Sequence, residues 1–164
     1  MALQSKLIVY VAIAGVLAMM GGFFYYGSLD SIPLEKVEIK LINVELKDVN
    51  TIDNQARFDI TFLVKNPSDK TFTISQIEYQ IYDDGILLGS GLYSTTDITL
   101  PGRAAFFPGT EIPLKSIFVL YKSEVNSEIY QDAIENRIDS FSAEGIITVQ
   151  SSWLTIEKEF KTGF

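Results

Sequence analysis

The chain contains no cysteine and no histidine, and these two absences exclude much of enzyme chemistry. Without cysteine there is no disulfide, no thiolate nucleophile and no cysteine-ligated zinc or iron–sulfur cluster. Without histidine the commonest general base and transition-metal ligand is missing, so neither a Ser-His-Asp nor a Cys-His site can be assembled. We therefore expect a protein that is not an enzyme, with no cofactor and no bound metal.

Basic residues are also scarce, with 13 Lys and Arg against 21 Asp and Glu and a net charge of −8. Only Lys6 precedes the hydrophobic run described next, so 12 basic and 21 acidic residues follow it, a net charge of −9. A nucleic-acid surface needs a basic stripe that displaces counterions from phosphates, and none is present. The sequence thus excludes a nucleic-acid partner, and nothing in it predicts a small-molecule substrate.

The sequence does have one long uncharged run, the 20 residues from Leu7 to Tyr26. A helix of this length spans roughly the 30 Å hydrocarbon core of a bilayer at about 1.5 Å per residue. Aromatic residues lie near both ends, at Tyr10 and at 23–26, where the headgroups would be. A cleaved signal peptide is the alternative, but its apolar part is usually only about 7–15 residues long and ends at an Ala-x-Ala-like site. We predict a retained signal anchor that contacts the lipid bilayer through residues 7–26.

The flanking charges predict the orientation of this helix. Lys6 precedes it, whereas Asp30 and Glu35 follow it, and the positive end of a span usually stays in the cytoplasm. The predicted parts are a cytoplasmic N-terminus (1–6), a transmembrane helix (7–26), a short linker (27–34) and one extracytoplasmic domain (35–164).

Within that domain, apolar and polar residues alternate in short segments, which is typical of β-strands. Only Ser123–Asp139 has helical spacing. Seven or eight antiparallel strands with one late helix predict an all-β, two-sheet sandwich. The predicted strands are Val37–Leu46 with a bulge near Ile42-Asn43, Phe58–Val64, Thr71–Tyr82, Ile86–Tyr93, Thr96–Leu100, one or two in Ala104–Leu120 interrupted at Pro108-Gly109 and Pro113, and a closing hairpin of Ile146–Gln150 and Trp153–Lys161.

Two turns follow directly from local chemistry. Asp83-Asp84-Gly85 predicts a tight hairpin, because aspartate and glycine tolerate positive φ. Pro67 cannot donate to a ladder and bars the α region at Asn66, so the second strand must end there. We expect the Asn66 side chain to cap free backbone groups, so that Asn66→Ala costs about 1 kcal/mol, in a structural turn rather than a ligand site.

The segment from Arg57 to Leu114 resembles the late embryogenesis abundant (LEA) type 2 family, also called the water stress and hypersensitive response (WHy) domain. The matching elements are a strand running into Val64-Lys65-Asn66-Pro67, a second strand at Ile74–Tyr82, and a glycine-bounded return, Gly85-Ile-Leu-Leu-Gly89-Ser-Gly91. The resemblance implies an immunoglobulin-like or fibronectin-III-like β-sandwich that is non-enzymatic, often membrane-anchored and associated with desiccation and osmotic stress. The anchored helix and outer β-sandwich are also similar to the archaellum stator proteins of archaea.

Two groups of side chains are candidates for binding. Four aromatic residues lie in segments where both faces of the strand have large side chains. This pattern indicates either a patch that binds a partner or a core on both sides of the sheet. The four residues are Tyr93, Phe106, Phe107 and Trp153. Asp83 and Asp84 could join Asp53 or Asp97 as calcium ligands, but turn chemistry accounts for this pair without a metal.

Two functional hypotheses remain from the sequence. The leading one is a membrane-anchored module that binds proteins or surfaces outside the cytoplasm, with a stress-protective role implied by the resemblance. The alternative is a single-span accessory or structural subunit of a larger membrane or cell-envelope complex. Small residues in the span would let another helix approach closely, and they are Ala12, Gly15, Ala18, Gly21 and Gly22.

Overall fold

A computed structural model of the chain describes residues 2–29, 31–95, 104–138, 140–152 and 154–163. Two helices come first, α1 (Ala2–Leu29) and α2 (Ser31–Glu35). The elements that follow are β1 (Glu38–Asn50), β2 (Gln55–Lys65), β3 (Phe72–Asp83), β4 (Ile86–Ser94), β5 (Ala105–Phe106), β6 (Glu111–Tyr121), α3 (Ser127–Ile134), β7 (Phe141–Gln150) and β8 (Thr155–Gly163).

The eight strands of the described residues form two antiparallel sheets. One sheet has the order β1-β2-β6, and the other has the order β4-β3-β7-β8 with the short β5 paired to β3. Their inner faces enclose a core in which the Phe62 ring lies 5.0 Å from Tyr79 and 5.9 Å from Phe160, edge to face. The predicted β-sandwich with one late helix is confirmed.

Both phase slips in the sequence pattern are bulges in the sheets. The β1–β2 pairing shifts between Leu41 and Asn43, as predicted, so alternation restarts at Val44 with its apolar side inward. The β3–β7 pairing shifts between Ile74 and Gln76 for the same reason. An extra residue in one strand changes which face the following side chains occupy, and so keeps them in the core.

Several boundaries predicted from sequence were wrong, and β7 begins at Phe141 rather than at Ile146. Pro113 does not interrupt a strand but lies inside β6, opposite Leu63. β6 is an edge strand, so the proline nitrogen need not face a partner. The helix is shorter than Ser123–Asp139, because the Asn126 side chain caps its start and Asn136 adopts a left-handed conformation (φ 55°) just after its end. The predicted strand Thr96–Leu100 lies outside the described residues.

The N-terminal helix contains one segment, Lys6–Gly27, that is long and apolar enough to cross a membrane, and none of it is buried against the sandwich. Within the predicted linker (27–34), residues 27–29 belong to α1 and residues 31–34 belong to α2. Leu34 and Val37 are fully buried in the core, and Lys158 Nζ donates to the Val37 carbonyl at 2.6 Å. The sandwich therefore begins at α2, slightly before the predicted boundary at residue 35.

Candidate functional site

Asn66 is completely buried and is the centre of a hydrogen-bond network at one end of the sandwich. Its Nδ2 donates to the carbonyl oxygens of Lys70 (2.7 Å) and Phe106 (2.8 Å). Its Oδ1 accepts from the backbone nitrogen (3.0 Å) and the hydroxyl (2.7 Å) of Ser68. The side chain thus makes four hydrogen bonds, which use both N–H donors and both acceptor positions of the amide. This network is more extensive than the local capping that the sequence predicts.

The backbone of Asn66 extends this network to a second loop. Its N–H donates to the Thr110 carbonyl (2.9 Å), and its own carbonyl accepts from the Gly109 N–H (2.8 Å). The Asn66–Lys70 loop after β2 and the turn before β6 are therefore joined at one residue, while Pro67 beside it is exposed. The polar atoms of Asn66 thus all form hydrogen bonds within the protein. The Asn-Pro turn is therefore a structural feature that joins these two loops.

The two glycines of the predicted turn motif have different roles. Gly85 and Asp84 both have positive φ (85° and 45°) and form the two-residue loop of the β3–β4 hairpin. Gly89 lies within β4, beside a shift in the β3–β4 register that turns Leu88 into the core. A side chain at Gly89 would press on the Phe118 ring at 3.1 Å, so this glycine permits close packing rather than a turn.

Of the four aromatic residues predicted as a partner patch, the three that the structure describes do not form one surface. Phe106 is fully buried and stacks on Phe72 with ring centroids 5.4 Å apart, so of the two alternatives it belongs to the core and not to a partner patch. Tyr93 is half-buried against the core, and its burial raises the pKa of its hydroxyl. Phe107 is 59% exposed. Trp153 lies outside the described residues.

An open cleft of about 1030 Å³ lies on the outer face of the five-stranded sheet. Register places Glu78 of β3 between Leu92 of β4 and Ile146 of β7, and Ile146 next to Glu159 of β8. The floor therefore has two apolar side chains flanked by carboxylates, and Leu92 is 54% exposed. Such a floor suits contact with another macromolecule better than enclosure of a small molecule.

Gly145 and Gly91 line this cleft, and neither has room for a side chain. A Cβ at Gly145 would overlap the carbonyl oxygen of Glu78, and one at Gly91 would overlap the Tyr79 ring. The Tyr79 hydroxyl in turn donates to Ser116 Oγ of the opposite sheet at 2.8 Å. Glycine in a strand often marks such close approach, and here it occurs where the outer face of the sheet is open.

Glu144 is the carboxylate of the cleft with the most defined partners. Tyr82 Oη donates to its Oε1 at 2.6 Å, and Lys161 Nζ donates to its Oε2 at 3.0 Å. The Tyr82 hydrogen bond, followed by that of Lys161, lowers the pKa of Glu144. Because the folded-state pKa is lowered, this stabilisation is present above the ordinary pKa and is lost as the pH falls through the lowered value.

The described carboxylates do not converge on a metal site. Among the residues that the structure describes, no group of three or more acidic side chains is placed to hold a metal ion. Asp53 instead accepts from Asn50 Nδ2 at 2.7 Å within the β1–β2 hairpin, and Asp84 lies in the β3–β4 turn. Asp97 lies outside the described residues.

The cleft was not found by sequence reasoning. The sequence did contain an indication of the cleft, because Leu92 and Ile146 are apolar residues at strand positions whose side chains lie on the outer face of the sheet. That signal becomes visible only once the register shows Glu78 between them, and pairing across distant strands cannot be read from alternation alone.

No family model and no curated protein matches the sequence. Solved structures do share the fold. A solution structure of a protein from Arabidopsis thaliana is 19% identical, with 77% of this chain and 80% of that chain covered and a TM-score of 0.50. A crystal structure of a protein from Archaeoglobus fulgidus is 16% identical, with 76% and 96% covered and a TM-score of 0.45. A solution structure of a candidate late embryogenesis abundant protein is 18% identical, with 93% and 82% covered and a TM-score of 0.40. At 19% identity and a TM-score of 0.50, the likeness to the Arabidopsis thaliana structure supports the fold alone.

Proposed function

We propose that this protein is a non-catalytic, membrane-anchored β-sandwich of the LEA type 2 or WHy kind that binds proteins or surfaces outside the cytoplasm. Its stress-protective role is carried over from the family resemblance in Arg57–Leu114. The proposal places the N-terminus in the cytoplasm and the sandwich on the other side of the bilayer.

The observation that carries the proposal is the exposed apolar helix in front of a domain whose core is complete without it. Every large apolar side chain described in the Lys6–Gly27 segment is exposed, including Leu7, Ile13 and Phe24. So long an exposed apolar helix is unfavourable in water and favourable in lipid. The segment continues to α2, which is part of the sandwich, so a retained anchor explains it better than a removable leader.

The absence of catalysis is supported by side-chain chemistry. The chain has no histidine or cysteine, and the carboxylate with the most partners, Glu144, is held ionised by Tyr82 and Lys161. A general acid requires a raised carboxyl pKa instead.

The test uses the full chain in cells. A protease added to intact spheroplasts is expected to degrade the sandwich while the N-terminal residues stay protected. Protection of the sandwich until lysis would overturn the proposed location, and a mature chain that lacks α1 would overturn the anchor.

The open cleft favours one second candidate, an accessory subunit of a larger membrane complex. Its exposed Leu92 and the neighbouring Ile146 would contact the partner. Purification of the full chain in mild detergent distinguishes the two. A stoichiometric set of partners supports the subunit hypothesis, whereas a monomer supports the leading proposal.

A further inference from the structure

The end of the sandwich that carries the Asn66 network is the end at which the chain enters from α1. Glu38, the first residue of β1, pairs with Lys65 at the end of β2, and Lys65 pairs with Glu111 at the start of β6. These three residues form a row across the sheet. Since Glu38 follows α2 closely in the chain, this row lies at the end of the sheet next to α2. The turn that precedes β6 therefore lies at the α2 end of the sandwich.

The connection between the proposed span and this end is short. Six residues lie between Gly27 and the buried Leu34, so the chain takes seven steps from one to the other. Most of them are helical, so the separation is about 10 Å at 1.5 Å per residue, comparable with the width of a headgroup region. A sandwich tethered this closely must keep its α2 end against the bilayer surface.

Among the described residues, Phe107 is a large apolar side chain that is exposed at this end. It is 59% exposed, beside the exposed Pro108 and Gly109. A single exposed ring is ordinary on a protein surface, and it is the position of this one that distinguishes it. Aromatic rings are favoured where lipid headgroups meet hydrocarbon.

The ring is carried by a fixed turn rather than by a loose loop. On one side of Phe107, Asn66 Nδ2 donates a hydrogen bond to the Phe106 carbonyl oxygen at 2.8 Å. On the other side, Thr110 donates to the Phe107 carbonyl through its N–H (3.0 Å) and its hydroxyl (2.8 Å). The Asn-Pro network thus also fixes the turn that presents Phe107.

We propose that Phe107 is a second membrane contact, which rests its ring among the lipid headgroups and holds the α2 end of the sandwich on the bilayer. This inference rests on the proposed anchor. Exposed charges of both signs lie at this end, namely Lys36 and Lys70 with Glu35 and Asp69, so the contact is apolar and suits zwitterionic lipid.

The cysteine-free chain allows a direct test with single labelled cysteines. Phe107→Cys, Ile52→Cys and Val16→Cys would each carry a fluorophore, in full-length protein reconstituted into phosphatidylcholine vesicles. Ile52 is the matched control, because it is 89% exposed at the far end of β1, about 40 Å away at 3.3 Å per residue. Val16 lies mid-span and reports on the anchor itself.

The expected result with nitroxide-labelled lipid is strong quenching at positions 16 and 107 and little quenching at position 52. Quenching at 107 should persist at high salt, because the contact is apolar. Quenching at 16 with equal, weak quenching at 107 and 52 would overturn the second contact while leaving the anchor intact. Absence of quenching at 16 would overturn both the anchor and the contact that depends on it.

Discussion

At the scale of single residues, the Asn-Pro turn shows how much a buried polar side chain can matter. Local chemistry correctly indicates a strand end and a capping asparagine. It does not indicate that the Asn66 amide is fully buried and makes four hydrogen bonds. Those bonds involve Phe106, forty residues away, and partners this distant cannot be inferred from a dipeptide.

The first prediction therefore corrects the cost expected from sequence. Asn66→Ala should lower the free energy of unfolding by about 3 kcal/mol, because the Phe106 carbonyl and the Ser68 N–H would be left buried without partners. Pro67→Ala is the control at the exposed neighbouring position and should cost less than about 1 kcal/mol. Phe62→Ala should cost roughly 3–5 kcal/mol, since its ring is in the core.

Urea unfolding of the sandwich measures all three variants. Comparable losses for Asn66→Ala and Phe62→Ala, both well above Pro67→Ala, are the expected order. If Asn66→Ala lowers the free energy of unfolding by less than about 1 kcal/mol, water replaces the hydrogen bonds of the asparagine side chain. The turn would then not stabilise the connection between the two loops.

At the scale of elements, the strands follow their sequence pattern closely, but the close approach of neighbouring strands cannot be read from that pattern. Alternation identifies β2, β3, β7 and β8, and bulges account for the slips in phase. Alternation contains nothing about how closely two strands approach. That approach depends on Gly145 of β7 facing the backbone of β3.

The second prediction tests this close approach. Gly145→Ala should lower the free energy of unfolding by about 3 kcal/mol, because its Cβ would overlap backbone atoms that cannot rotate away. Gly85→Ala is the comparison, since the space around Gly85 is open and only its positive φ opposes a side chain, at about 1–2 kcal/mol. Gly85→Asn should be nearly neutral in this turn.

Chemical denaturation again provides the measurement, together with an amide NMR spectrum for each variant. Large shifts in β3 and β7 are expected for Gly145→Ala, and shifts confined to the hairpin for Gly85→Ala. Equal stabilities for the two alanine variants would show that β3 and β7 move apart at little cost. Gly145 would then not be required for the close approach of these strands.

At the scale of the whole molecule, the apolar N-terminal helix is followed by α2, and α2 packs on the sandwich. Leu34 and Val37 are buried, and Lys158 Nζ donates to the Glu35 (2.7 Å) and Val37 carbonyls. The residues that follow the apolar helix are thus part of the core of the domain. This direct connection is what makes a fixed orientation on the bilayer a reasonable proposal.

The third prediction concerns where the sandwich begins. A chain of residues 31–164 should be soluble and monomeric and should unfold cooperatively. A chain of residues 38–164 should be less stable by about 3–5 kcal/mol, because it loses two buried aliphatic side chains worth about 1.5–3 kcal/mol each. Leu34→Ala in the longer chain is the matched control and should show an intermediate loss. Equal stability of the two chains would show that α2 is a mere connection.

The sequence alone determined the class of fold, the apolar N-terminal helix and the functions that its missing residues exclude. These depend on local alternation, run length and composition, which are properties of neighbouring residues. Only the tertiary structure decided that Phe106 is core while Phe107 is surface, that Asn66 joins two loops, and that Leu92 and Ile146 share a cleft. Each of these depends on which distant strands pair and in which register, and that is set by packing of the whole core rather than by any local segment.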